Sequence, residues 1–149
     1  TRHILKVSDQ FAATNYEMSE SNDDLIMDDD EFIRDMVGKM LVNCGYSCEY
    51  AKDGYEAISR YKESMNCGQV FSAVILDLTV AGSMGGIETL RRLQNINPEV
   101  KAIVSSGYSN APVMANYHNH GFQGVVRKPY TIEEVSRVVH QVVMESSSS

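Results

Sequence analysis

Between Asp24 and Met144, short apolar runs alternate with segments whose apolar positions recur at helical spacing. The runs are LIM (25–27), SCEYA (47–51), AVIL (73–76), AIVS (102–105) and GVVR (124–127). Three are rich in Val and Ile and too short for helices, as expected of strands buried on both faces. SCEYA is more polar and fits an edge or half-exposed strand. In the first intervening segment Phe32, Ile33, Met36, Val37, Met40 and Leu41 share a helical face, and Gly45 follows as a stop. Residues 54–65 place Ala57, Ile58 and Tyr61 on one face. Residues 86–96 do the same with Ile87, Leu90, Leu93 and Ile96, and Pro98 ends them. A less periodic helix is expected around Pro112 to Tyr117. In the last segment Thr131 is an N-cap with Glu134 as its capping-box partner, ahead of an apolar stripe of Ile132, Val135, Val139 and Val142. Five strands alternating with five helices predict an α/β domain with a parallel sheet covered on both faces.

The flanks read differently. Residues 1–22 lack sustained periodicity, and the polar NYEMSESNDD reads as a linker or N-terminal extension. HILKV (3–7) is compatible with an added strand or with a neighbouring domain. The folded domain is expected over 23–145, with a frayed, disordered tail at 146–149.

A length of 149 residues with 43% hydrophobic content is enough for one domain with one core. The net charge of −7, with a pI near 5.0, argues against a nucleic-acid-binding surface within this chain. No apolar run approaches the ~20 residues of a membrane span, and the apolar stretch in TRHILKVSDQ is too short for a signal peptide. Cys44, Cys48 and Cys67 are odd in number and lack the second pair of a metal site. They read as reduced thiols of a cytoplasmic protein.

In a parallel sheet of this kind, function gathers beyond the carboxyl ends of the strands. Asp28, Asp29 and Asp30 follow the first strand, and Asp77 follows the third. Ser105 and Ser106 end the fourth, and Lys128 and Pro129 follow the fifth. These groups should meet in one pocket. Clustered carboxylates raise each other's pKa unless a cation joins them. Mg²⁺ suits such a set, because it is a hard ion that takes oxygen ligands. With a lysine and a hydroxyl added, the pocket is suited to a transferring phosphoryl group, and Asp77 to forming an aspartyl-phosphate. Asp30 is better read as the first helix's N-cap, and Ser106 as a neighbour rather than a ligand. There is no P-loop, no G-x-G-x-x-G after the first strand and no G-x-S-x-G. His118 and His120 lie too close in sequence for shared chelation on a helix end.

Asp28-Asp29, Asp77, Ser105 and Lys128-Pro129, in this order and each at a strand end, resemble the receiver domain of two-component response regulators. The resemblance covers roughly residues 24–144. It implies a doubly wound five-stranded sheet of flavodoxin-like order 2-1-3-4-5. It implies Asp77 as phosphoacceptor, and Mg²⁺ held by Asp29, Asp77 and the Thr79 backbone carbonyl, with Asp28 acting largely through a metal-bound water. Ser105 and Lys128 would each contact a phosphoryl oxygen, and the Lys128-Pro129 bond is often cis in the family. The implied partner is a histidine kinase or a histidine phosphotransfer domain, with no membrane or nucleic acid contacted by this chain. DLTVAGSMGGIE looks most like receivers attached to hybrid sensor histidine kinases, which makes a parent hybrid kinase a further expectation.

The chain also departs from the family pattern. Ala81 stands where proline is common, and one extra residue lies between Asp77 and Gly86. Serine replaces the commoner threonine at 105. Val125 occupies a position often held by a switching aromatic. Thr79 and Gly107 stand where family members often position a hydrolytic water, so self-dephosphorylation is expected to be slow. The alternative reading is a Mg²⁺-dependent phosphohydrolase that uses an aspartyl-phosphate. Such enzymes commonly carry a second acid two residues after the nucleophile, and position 79 is Thr.

Overall fold

The computed structural model describes residues 19–20, 22–107 and 112–145. The expectations for HILKV, for most of the N-terminal extension and for the tail lie outside the described residues. Among the described residues seven strands are formed, numbered in chain order. β2 (Asp23–Met27), β3 (Ser47–Ala51), β5 (Ala73–Asp77), β6 (Ala102–Ser106) and β7 (Gly124–Arg127) make one sheet in the order β3-β2-β5-β6-β7. Every pairing in it is parallel. Counted over this sheet alone, the order is the 2-1-3-4-5 expected from the sequence. Two short strands, β1 (Ser19–Glu20) and β4 (Gln69–Val70), pair separately in parallel. The end of the polar extension therefore makes backbone hydrogen bonds that its composition did not predict.

The inner strands β5 and β6 are buried at every position, as their Val and Ile content requires. β3 alternates exposed and covered residues and lies at one edge, in keeping with the polarity of SCEYA. Strand alternation sends Leu25, Met27, Leu76 and Val104 to one face, where they pack with Ala57, Tyr61, Leu90 and Leu93. Ile26, Ile75, Ile103 and Val126 take the other face, against Val37, Leu41, Val135 and Val139. Helices α2 (Gly54–Asn66) and α3 (Gly86–Ile96) thus cover one side, and α1 (Glu31–Asn43) and α5 (Ile132–Met144) the other.

Local chemistry sets the helix ends. Asp30 caps α1 by accepting from the amides of Phe32 and Ile33 at 2.9 and 3.4 Å. Thr131 caps α5 by accepting from Glu134 N at 3.1 Å. α1 ends in a Schellman turn: Gly45 N donates to Val42 O, Tyr46 N donates to Leu41 O, and Gly45 takes a φ of 98° that favours glycine. The helix expected at 112–117 is shorter than its pattern suggested. α4 (Pro112–Ala115) is a single turn, followed by a 3₁₀ turn over Tyr117–His120. Only Met114 of α4 is buried, too little apolar area to offset the cost of a longer helix.

Candidate functional site

β2 ends by presenting Asp28 and Asp29 at the carboxyl edge of the sheet, and β5 ends on Asp77 beside them. Asp28 and Asp77 are nearly buried, at 2% and 5% exposure, whereas Asp29 is exposed. One oxygen from each of the three carboxylates lies within 4.8 Å of the others. Asp28 is fixed from several sides. Its Oδ1 accepts from Asp30 N at 2.9 Å, its amide donates to Ala51 O at 3.0 Å, and its carbonyl accepts from Arg34 Nη1 at 2.7 Å. β7 delivers Lys128, whose amide donates to Ser106 O at 3.0 Å. Its ammonium makes ion pairs with Asp28 Oδ2 at 2.7 Å and Asp77 Oδ1 at 3.4 Å. The Lys128-Pro129 peptide bond is cis, as expected.

The pocket so formed has a volume of about 480 Å³ and is lined by Asp28, Asp29, Asp30, Asp77, Thr79, Ala81, Ser106, Gly107 and Lys128. Burial pushes the Asp77 carboxyl up to about 6; the neighbouring Asp28 adds to this, and Lys128 only partly offsets it. Burial works against the Lys128 charge, but contact with Asp28 and the field of Asp77 hold the ammonium above its usual value. One lysine faces three acids, so the pocket keeps an excess of negative charge. Three converging carboxylate oxygens in a half-open site fit a hard divalent cation such as Mg²⁺.

The two serines separate. Ser106 lines the pocket. Ser105, expected there from the sequence, is 1% exposed and directs its hydroxyl to the Tyr130 hydroxyl within the α1–α5 face. The two-residue period of a strand puts the two serines on opposite faces, Ser105 with Ile103 and Ser106 with Val104. Ser105 shares the face of Asp77, and the Tyr130 hydroxyl is what engages it there. A run ending Ser-Ser does not reveal which hydroxyl faces which way. Two further residues escaped the sequence reading. Arg34 is visible only as a basic residue one turn into α1, and Tyr130 only as an aromatic after Pro129. The loop after Asp77, which carries the extra residue, docks against the start of α2. Gly54 N donates to Met84 O at 3.2 Å, and Ser83 Oγ donates to Asp53 Oδ2 at 3.1 Å.

The family model described as response regulator receiver domain matches residues 25–140. The chain is 28% identical to the chemotaxis protein CheY of Thermotoga maritima over 119 residues, which cover 79% of this chain and 94% of that protein. It is 25% identical to the transcriptional regulatory protein ZraR of Klebsiella oxytoca over 130 residues, 87% of this chain but only 28% of ZraR. Among solved structures, the receiver domain of NtrX from Brucella abortus superposes with a TM-score of 0.75 at 23% identity, covering 83% of this chain and 99% of that one. CheY in the CheX-CheY-BeF3-Mg²⁺ complex of Borrelia burgdorferi superposes with a TM-score of 0.74 at 23% identity, covering 83% and 90%. At these identities the structural matches speak for the fold.

Proposed function

From the premise that this chain belongs to the response regulator receiver domain family, we propose that it is a phosphorelay receiver whose phosphoacceptor is Asp77. The observation that carries the reading is the convergence of Asp28, Asp29 and Asp77 with an ammonium that touches two of them. An Asp77 oxygen attacks the phosphorus of a phosphohistidine on a histidine kinase or phosphotransfer domain. The O–P bond forms as the N–P bond breaks, and the imidazole nitrogen keeps the electron pair and takes up a proton. Asp28, Asp29, Asp77 and the Thr79 carbonyl would hold Mg²⁺, which supplies positive charge to the transferring phosphoryl oxygens. Lys128 then follows the phosphoryl group, exchanging a contact with the Asp77 carboxylate for one with a phosphoryl oxygen. Ser106, which lines the pocket, takes the hydroxyl role first given to Ser105.

Phosphorylation shifts an inactive–active equilibrium, because these new contacts exist in only one of the two states. The form of the DLTVAGSMGGIE stretch supports a hybrid sensor kinase as the parent protein, and the free thiols of Cys44, Cys48 and Cys67 support the cytoplasm as the setting. Among the described residues no helix is long and apolar enough to cross a membrane. The test is incubation with Mg²⁺ and a small phosphoryl donor, read by intact mass. The parent chain gains one phosphoryl group, and Asp77→Asn gains none. Phosphorylation of the Asp77→Asn chain would sink the assignment.

A further inference from the structure

Ser105 and Tyr130 form a buried hydroxyl pair beside the acid pocket, and no step of the proposed phosphotransfer uses it. Ser105 is the register partner of Asp77, so the two side chains leave the sheet on the same face, side by side. The Tyr130 ring is 8% exposed and packs among the apolar residues of the α1–α5 face. Its hydroxyl meets that of Ser105 there. Lys128 lies two residues before Tyr130, and its amide is held by the carbonyl of Ser106. The segment 128–130 is therefore tied at both ends to consecutive residues of β6: by backbone at Lys128 and by side chain at Tyr130. From the first residue of this strap the Lys128 ammonium reaches both Asp28 and Asp77.

We infer that Ser105 and Tyr130 are positioning residues, whose hydroxyl–hydroxyl bond holds Lys128 aimed at the Asp77 carboxylate. This rests on the receiver reading above and adds a component to it. Asp28, Asp29 and Asp77 are delivered by other strands, so the pair acts on the lysine and leaves the metal ligands in place. Losing one hydroxyl leaves the other buried without this partner, which costs stability whatever the role in phosphotransfer. Losing both removes that defect. Stability and positioning are thereby separable.

The experiment uses the full chain with saturating Mg²⁺ and acetyl phosphate. It compares the parent, Ser105→Ala, Tyr130→Phe and the double variant by phosphorylation rate, by calorimetric Mg²⁺ affinity and by thermal midpoint. All three variants should be phosphorylated about fivefold to tenfold more slowly, with Mg²⁺ affinity within about twofold of the parent. The double variant should recover the midpoint lost by the single variants while its rate stays low. A double variant phosphorylated at the parent rate overturns the proposal, as does a Mg²⁺ affinity that falls about fivefold or more in the variants. Asp77→Asn separates the two readings: its phosphorylation would remove Asp77 as phosphoacceptor, whereas a silent Asp77→Asn beside variants at parent rate would remove only the positioning role.

Discussion

Asp24 sits at the other end of β2 from the pocket and has no exposed surface. Ser72 Oγ donates to its Oδ1 at 3.0 Å, while Oδ2 is without a hydrogen-bond partner among the described residues. Burial pushes the Asp24 carboxyl up to about 7, with the Ser72 bond pulling the other way and Asp23 adding to the rise. A raised carboxyl means the folded chain holds the proton more tightly than the unfolded one. Stability therefore falls as pH climbs from the ordinary carboxylate range through the folded value. Between pH 5 and pH 8 this one group should remove on the order of 2–3 kcal/mol. Asp24→Asn keeps an acceptor for Ser72 and cannot ionise. Urea unfolding in Mg²⁺-free buffer should show the Asn variant losing that part of the slope and gaining stability at pH 8. An identical pH dependence in the two proteins would refute the account. Asp24 and Asp28 are both buried acids on one strand, yet only Asp28 has a cation in contact.

The start of α1 shows how a single element divides a run of like charges. Asp28 and Asp29 belong to the pocket, whereas Asp30 has turned into the helix to accept its first amides. Asp30 still lines the rim, so cap and ligand are competing readings that experiment can separate. Asp30→Ala should cost about 1 kcal/mol of stability, and Asp30→Ser should retain most of it. Both should bind Mg²⁺ much as the parent does. A marked loss of Mg²⁺ affinity in the serine variant would make Asp30 a ligand. At α3 the constraint is steric. A Cβ at Gly86 would stand 2.8 Å from the Asp77 carbonyl oxygen, so the helix must begin without a side chain to pass that close to the phosphoacceptor.

At the scale of the whole molecule, the sheet gathers four strand ends into one pocket and leaves little else there. Gly107 adds no side chain, and among the described residues a Cβ built on it would meet only Lys128 Cβ, at 3.9 Å. Thr79 brings a hydroxyl in place of an acid or amide. Among the described residues Thr79 and Gly107 supply no acid or amide to orient a water, and the phosphoryl group on Asp77 should persist for minutes or longer. Following the phosphorylated mass after removal of the donor checks this, and decay within seconds would contradict it. Val125, half-buried on β7, packs against the α2–α3 side of the core. An aliphatic group there has no hydroxyl to pair with Ser106.

Periodicity and punctuation carried much of this molecule. Strands of four or five residues, capping residues at Asp30 and Thr131, and a stop at Gly45 are local events, each decided by neighbours a few positions away. That acids and a lysine end their strands was legible for the same reason, and a parallel sheet then leaves them little choice but to meet. What the chain could not declare depends on partners distant in sequence. The face taken by Ser105 follows from the register of β6 against β5 and from the arrival of Tyr130 on that side. The hold of Arg34 on the Asp28 carbonyl requires the angle at which α1 leaves β2. The pairing of Ser19–Glu20 with Gln69–Val70 joins backbone groups whose side chains announce nothing. Local propensity acts within a turn or two of the chain, whereas side-chain direction, burial and charge pairing are properties of a packed neighbourhood, and only the assembled sheet supplies one.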